Sequence, residues 1–215
     1  MLLVAHRTPP DRASCERLVA AGATVFEVDV QLDRHSELVA SHYHPLRRFR
    51  WVARDNWRLR WHTVRDPRLA DVEAAVPEGG VVLLDLKARE PAERTRLLRA
   101  LDESLPLRSR YRACTSEPSD LAALRSAGFA TWRTVGDAAD LAAVLAEPRL
   151  PDEAVTVRHT LLDADVVARL HQRVASVVAW TVNDPRRAAR LRELGVDGVT
   201  TDRIDVLRNL TAPIR

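Results

Sequence analysis

The chain is poor in sulfur and in large aromatic rings: 215 residues include two cysteines, one methionine, two tyrosines and three phenylalanines. Neither Cys15 nor Cys114 stands in a Cys-x-x-Cys or Cys/His spacing. That excludes a sequence-evident zinc site or disulfide framework and leaves both as buried small residues. Glycine is scarce, at seven, and no Gly-rich phosphate loop follows the first apolar run, which counts against a dinucleotide-binding sheet. No apolar run approaches the ~20 residues of a membrane span. Leu2 to Arg7 is too short for a signal-peptide core and lacks a basic start, so a cytoplasmic protein is expected. Low-complexity segments and usable internal repeats are also absent.

What remains is an ordinary globular composition. Hydrophobic residues make up 46% and charged residues 29%, too apolar for a disordered chain, and the length suits one domain spanning 1–215 with a sizeable core. The net charge of +3 is mild, but Arg47, Arg48, Arg50, Arg54, Arg58 and Arg60 crowd one stretch and make anionic partners plausible.

Short β-rich runs alternate with amphipathic helical ones along the chain. Strands are predicted at Leu2 to His6, Val25 to Gln31, Val81 to Lys87, Arg112 to Ser116, Thr131 to Val135, Val155 to His159, Val177 to Val182 and Gly198 to Thr201. Helices are predicted at Asp11 to Ala21, Leu69 to Val76, Ala92 to Ser104, Ser119 to Ala127, Ala138 to Leu145, Asp165 to Gln172, Pro185 to Leu194 and Ile204 to Leu210. Gly22, Gly128 and Gly195 each close a helix just before the next strand. Eight β/α alternations with continuous apolar strands predict a (β/α)8 TIM barrel. Residues just past its strand ends would then converge on one mouth: His6, Glu27, Asp29, Asp85, Lys87, Ser116, Arg133, His159, Asn183 and Asp202.

Glu27 and Asp29 lie two apart on a strand and point to one side. With Asp85 on the next strand, they could share a hard divalent cation, Mg²⁺ or Ca²⁺; taken alone, each could instead pair with an arginine. His6 and His42 form an imidazole pair suited to proton transfer near neutral pH. His35, His62 and His171 read as surface or satisfied histidines. Arg7, beside His6, is a donor suited to phosphate.

These residues resemble the glycerophosphodiester phosphodiesterase family. Its His-Arg-Gly motif is similar to His6-Arg7-Thr8, its Glu-x-Asp-Val to Glu27-Val28-Asp29-Val30, its His-Asp to His42-Tyr43 and its acid-x-Lys to Asp85-Leu86-Lys87. Its closing Trp-Thr-Val-Asn and Gly-Val-Asp-Gly-Ile-Ile-Thr-Asp runs are similar to Trp180 to Asn183 and Gly195 to Asp202. The resemblance implies a TIM barrel and a metal-dependent phosphodiesterase. Glu27, Asp29 and Asp85 would hold the cation, and His6 and His42 would act as the acid/base pair. Arg7 and Lys87 would neutralise phosphate oxygens, and Trp180 would line the pocket. It implies hydrolysis of a glycerophosphodiester to an alcohol and glycerol 3-phosphate. The alternatives are a lysophospholipase D or sphingomyelinase D-like activity on lipids and a catalytically impaired barrel that binds phosphoesters.

The chain departs from the family pattern at several positions. Thr8 replaces the glycine, Thr8-Pro9-Pro10-Asp11 replaces Pro-Glu-Asn-Thr, and Asp11 is a candidate helix cap. Tyr43 replaces an aspartate, leaving His44 as a competitor to His42. Asp85 replaces the longer glutamate of many members.

Tyr43 to Arg65 is a short basic insertion bearing Trp51, Trp57 and Trp61. It reads either as a lid or peripheral contact with an anionic membrane, or as tryptophans covering the mouth beneath solvated arginines. Nucleic acid is not expected, since no OB or RRM pattern accompanies it. Arg158 and His159 are candidate substrate-binding residues, and with Arg133 they either read a headgroup or pair with carboxylates at the mouth. The substrate partner is a small-molecule or lipid phosphodiester; oligomeric state is not encoded in any motif.

Overall fold

The structure, a computed structural model, describes residues 1–42, 66–88 and 90–211, together with the backbone of three short strands between 43 and 65. The elements in chain order are β1 (Leu2–Ala5), α1 (Arg12–Ala20), β2 (Val25–Leu32), β3 (Leu38–Ala40), β4 (His44–Pro45), β5 (Trp51–Ala53) and β6 (Leu59–Trp61). They continue with α2 (Leu69–Ala75), β7 (Val81–Leu86), α3 (Pro91–Ser104), β8 (Tyr111–Thr115), α4 (Pro118–Ser126), β9 (Ala130–Val135) and α5 (Ala138–Ala146). The last are β10 (Ala154–Arg158), α6 (Ala164–His171), β11 (Ser176–Trp180), α7 (Pro185–Glu193), β12 (Gly198–Thr201) and α8 (Ile204–Thr211).

Eight parallel strands run in the spatial order β1-β12-β11-β10-β9-β8-β7-β2, and β1 also pairs with β2. The sheet therefore closes on itself, and the fold is the (β/α)8 barrel expected from the alternation. β3 hangs antiparallel on the outer part of β2, with Val30 opposite Ala40. β4, β5 and β6 form a separate antiparallel sheet. They fall inside the basic insertion; its lid and membrane readings concern side chains outside the described residues, as does the competing His44.

The local reasons are ordinary ones. Strands β2 and β12 are buried along nearly their whole length because helices cover one face and the barrel interior the other. Aspartates start four helices: Asp11 accepts from the Ser14 N–H, Asp137 from Ala139 and Asp140, Asp163 from Val166 and Asp184 from Arg186, at 2.8 to 3.0 Å. Gly195 ends α7 at φ +88°, the left-handed region an L side chain avoids. Gly198 is required by proximity, since a Cβ there would lie 2.9 Å from Leu2 Cβ on the neighbouring strand.

The lower barrel interior is filled by Val4, Val25, Leu83, Cys114, Trp132, Ala154 and Val178. Trp132 Nε1 and Arg112 Nε both donate to Glu153, at 3.1 and 2.5 Å. The barrel is thus plugged from below, and its cavity lies toward the carboxyl ends of its strands.

Strand ends differ slightly from the sequence reading. His6 and Lys87 lie just past β1 and β7 rather than within them, and β11 stops at Trp180 rather than Val182. His159 is not a strand residue: it opens a 3-10 turn, His159–Leu161, whose His159 and Leu162 carbonyls accept from the Arg187 guanidinium.

Candidate active site

The pleat of β2 turns Glu27 and Asp29 toward the same side, and the parallel register sets Asp29 opposite Asp85 on β7. One carboxylate oxygen from each of the three lies within 4.8 Å of the others. Glu27 and Asp29 are almost fully buried. Glu27 Oε1 is sealed from solvent and accepts no hydrogen bond, and Asp29 Oδ1, equally sealed, has the Lys87 ammonium at 3.2 Å. A buried acceptor without a donor, as at Glu27, is costly unless a cation completes it. Three hard oxygen ligands at this spacing fit Mg²⁺ or Ca²⁺.

Electrostatics supports that reading. Burial, then the neighbouring Asp29 charge, pushes the Glu27 carboxyl up to about 8. Burial also raises Asp85, against the pull of Lys87. Burial lowers the Lys87 ammonium, but the Asp85 and Asp29 carboxylates outweigh it and the net shift is upward. Lys87 Nζ lies 2.6 Å from Asp85 Oδ2 and 3.2 Å from Asp29 Oδ1.

The loop after β1 brings His6 and Arg7 to this cluster. Arg7 takes a left-handed φ of 53°, uncommon for a residue with a Cβ. In that conformation its N–H donates to Glu27 Oε2 at 2.7 Å, and the Thr8 N–H donates to the Glu27 carbonyl at 2.9 Å. The unusual conformation therefore falls on Arg7, and Thr8, which has no positive φ, fits where the resembled family has glycine. Arg7 Nε lies 3.4 Å from Asp29 Oδ2.

His6 Nδ1 is 2.6 Å from Asp202 Oδ1, and its Nε2 is 3.8 Å from Glu27 Oε2. Burial lowers the imidazole, but the Asp202 hydrogen bond and the Glu27 charge more than offset it and raise it above the ordinary value. Asp202 is lowered, chiefly by the same hydrogen bond. Asn183 fixes Asp202 in turn: its Nδ2 donates to Asp202 Oδ2 at 2.7 Å, and its Oδ1 accepts from the Asp202 N–H at 3.0 Å. Across the carboxylates, His42 Nε2 stands 4.0 Å from Asp29 Oδ1.

A cavity of about 490 Å³ joins these groups. His6, Arg7, Glu27, Asp29, His42, Asp85, Lys87 and Trp180 all line it. Trp180 is pinned by donating from Nε1 to the Thr156 carbonyl at 3.0 Å.

Arg158 and His159 do not line the cavity. Arg158 packs its guanidinium 5.9 Å from the Trp180 ring centroid, and burial and the nearby Arg187 and Arg158 charges lower the His159 imidazole. Arg133 pairs with Glu147 and lies 3.3 Å from Asp152; Asp152 precedes β10, so Arg133 pairs with carboxylates away from the mouth and does not join the site it was expected to line. Sequence reasoning set Asp202 and Asn183 at the mouth and in the closing run but gave neither a chemical role. It also passed over Arg94, which reaches the cavity from α3 and leaves no strand-end signal, and Glu117, which follows β8 in the loop before α4.

Comparison with known proteins bears on the same groups. Residues 92–206 match the model of the glycerophosphoryl diester phosphodiesterase family. The chain belongs to that family. The family match includes Trp180, Asn183 and Asp202 and stops short of the carboxylates and both histidines, which geometry alone brings to them.

Solved members share the fold. An Oleispira antarctica phosphodiesterase, captured with the product sn-glycerol-3-phosphate, superposes with a TM-score of 0.74 at 18% identity, over 99% of this chain and 97% of that one. The glycerophosphodiester phosphodiesterase of Thermotoga maritima gives 0.70 at 19% identity, over 98% of each chain. The Bacillus subtilis protein YhdW, by name a glycerophosphodiester phosphodiesterase, is 36% identical over 53 residues, which is 25% of this chain and 22% of its own length. Among the described residues no helix is long and apolar enough to cross a membrane.

Proposed function

We propose that this member of the family is a divalent-metal-dependent phosphodiesterase that hydrolyses glycerophosphodiesters to an alcohol and glycerol 3-phosphate. The observation that carries the reading is the placement of His6 and His42 on either side of three clustered carboxylates, with Arg7 and Lys87 beside them.

When held by Glu27, Asp29 and Asp85, Mg²⁺ or Ca²⁺ supplies Lewis-acid stabilisation of charge on the phosphoryl oxygens. The chain's own residues do the rest. Arg7 and Lys87 orient the phosphate and offset its charge. One imidazole takes the proton of the glycerol hydroxyl next to the ester as that oxygen bonds to phosphorus. The other gives a proton to the departing alcohol oxygen as its bond to phosphorus breaks. The cyclic phosphate is then opened by water with the proton roles reversed. Asp202 holds His6 with Nδ1 engaged and Nε2 toward the cavity, as an orienting carboxylate does for a catalytic imidazole. Trp180 forms a wall.

The test is release of glycerol 3-phosphate from glycerophosphocholine and glycerophosphoethanolamine with Mg²⁺, with Ca²⁺ and with EDTA, beside His6→Ala. Turnover that EDTA stops and His6→Ala abolishes is expected. A folded protein with no turnover under any condition would sink the reading.

A further inference from the structure

Three permanent cations line the cavity: Arg7, Lys87 and Arg94. Arg7 and Lys87 lie against the carboxylate cluster, 3.4 Å from Asp29 and 2.6 Å from Asp85. Arg94 is paired elsewhere. It projects from the first turn of α3 and meets two acids at the start of α4. Its Nε lies 3.4 Å from Asp120 Oδ2, and its Nη1 lies 3.2 Å from Glu117 Oε2. Arg96 and Arg99, on the same helix, do not line the cavity.

The two pairs are unequal. The Asp120 side chain is 9% exposed and that of Glu117 46%. A buried carboxylate keeps its partner, because losing it strands a desolvated charge, whereas an exposed one exchanges readily with water and ions. Burial raises the Asp120 carboxyl, and Arg94 pulls it back down. Asp120 therefore fixes the guanidinium at Nε. Glu117, itself in the cavity lining, covers the Nη edge with a contact that another anion can take over. That edge carries parallel N–H donors that match a carboxylate or phosphate in two bonds. The scissile phosphate has its own partners in Arg7 and Lys87, and glycerol carries no charge. An anion arriving at Arg94 thus belongs to the alcohol half of the diester.

We propose that Arg94 is a specificity-determining residue that reads an anionic substituent, a carboxylate or a second phosphate, on the alcohol half of the substrate, with Glu117 as the counter-ion it exchanges. The inference rests on the phosphodiesterase reading and adds to it a choice among substrates. A neutral alcohol leaves the Arg94–Glu117 pair in place and gains nothing from it. An alcohol bearing a carboxylate displaces Glu117 toward solvent and gains a charge-assisted fork in exchange for an exposed pair.

Glycerophosphoserine and glycerophosphoethanolamine share an ammonium and differ by one carboxylate, so the ratio of their kcat/KM values isolates that carboxylate. The ratio is measured in the wild type, Arg94→Gln, Arg94→Lys and Glu117→Gln, with glycerol 3-phosphate as an inhibitor that lacks the alcohol half. In the wild type the serine ester is expected to exceed the ethanolamine ester by threefold or more. Arg94→Gln should lower the ratio at least tenfold, chiefly through KM, and Arg94→Lys should restore part of it. Glu117→Gln should raise it at least threefold. Inhibition by glycerol 3-phosphate should stay within twofold throughout. A wild type that does not prefer the serine ester, a ratio that the variants leave unmoved, or an Arg94→Gln protein that binds both esters and glycerol 3-phosphate equally poorly would overturn the proposal. If Arg94→Gln strands Asp120 and fails to fold, the double variant Arg94→Gln/Asp120→Asn and Glu117→Gln decide by the same ratio. If the wild type turns over neither ester, calorimetric binding of the two esters decides. A binding ratio that falls in Arg94→Gln upholds the anion reader while the phosphodiesterase reading fails, and an unchanged ratio overturns both.

Discussion

At the scale of single residues, the site is a set of charges that hold one another away from their solution behaviour. Asp202 raises His6 and is lowered by it. Replacing it with asparagine removes the main opposition to the burial that depresses the imidazole. In Asp202→Asn, kcat/KM should fall by about 10- to 100-fold, the scale seen when an orienting partner is lost. The acid limb of the pH–rate profile should move to lower pH, because His6 then loses its proton sooner. A profile that drops in height without moving would show that Asp202 only fills space. Glu27 makes the opposite case. Its folded value of about 8 stands above the unfolded 4.5, so between those values the unfolded chain binds fewer protons and metal-free stability falls as pH rises. Glu27→Gln should therefore raise the metal-free melting temperature at pH 8 while weakening Mg²⁺ or Ca²⁺ binding. In the wild type, metal binding at pH 7 should release a proton, readable from calorimetry in buffers of different ionisation enthalpy. A binding enthalpy independent of buffer would contradict this.

At the scale of elements, the barrel works because strands place residues two apart on one side and parallel register carries that side to the neighbour. Glu27, Asp29 and Asp85 were legible in the sequence for this reason: a Glu-x-Asp on one apolar run and an Asp on the next are enough once the runs are parallel. His6, Lys87 and Trp180 were legible as strand-end residues. Asp202 was legible as a mouth residue and as part of the closing run, but its pairing with His6 was not, since nothing local tells which side chain at the mouth it meets. His159 was misplaced because a 3-10 turn held by Arg187 has no periodicity to read, and Arg133 because a buried ion pair and a ligand-reading arginine look alike in sequence. Helix starts were easier at α1, α5, α6 and α7, where a single aspartate before the helix carries the signal. Asp137→Ala should cost about 1 kcal/mol through the lost α5 cap, measured by urea unfolding, with kcat unchanged. Gly198→Ala tests a less visible constraint. Its Cβ would press on Leu2 at 2.9 Å, and the shift between β12 and β1 should cost about 1–3 kcal/mol and lower activity through the His6–Asp202 contact.

At the scale of the whole molecule, the proposed catalytic charges and the stabilising ones are separated along the barrel. The mouth holds the buried acids of the candidate site. Toward the opposite end Asp152, fully buried, lies 2.5 Å from Arg125 Nη1, accepts from Thr131 Oγ1 at 2.7 Å and sits 3.3 Å from Arg133 Nε. Removing one partner of such a cluster leaves charges buried and uncompensated, at about 3–5 kcal/mol. Asp152→Ala should lower the melting temperature steeply while kcat at 25 °C stays near that of the wild type in whatever fraction folds. A large loss of kcat in folded protein would show that the two ends are coupled. The ring of strands has one more consequence. His6 and Asp202 stand 196 residues apart and meet only when β12 closes the ring onto β1. A chain interrupted between β7 and β12 carries every metal-ligand candidate and both histidines, yet lacks the carboxylate that steadies one of them. Activity thus doubles as a receipt for ring closure: copies that lack β12 are expected to be poor catalysts, whatever structure they form.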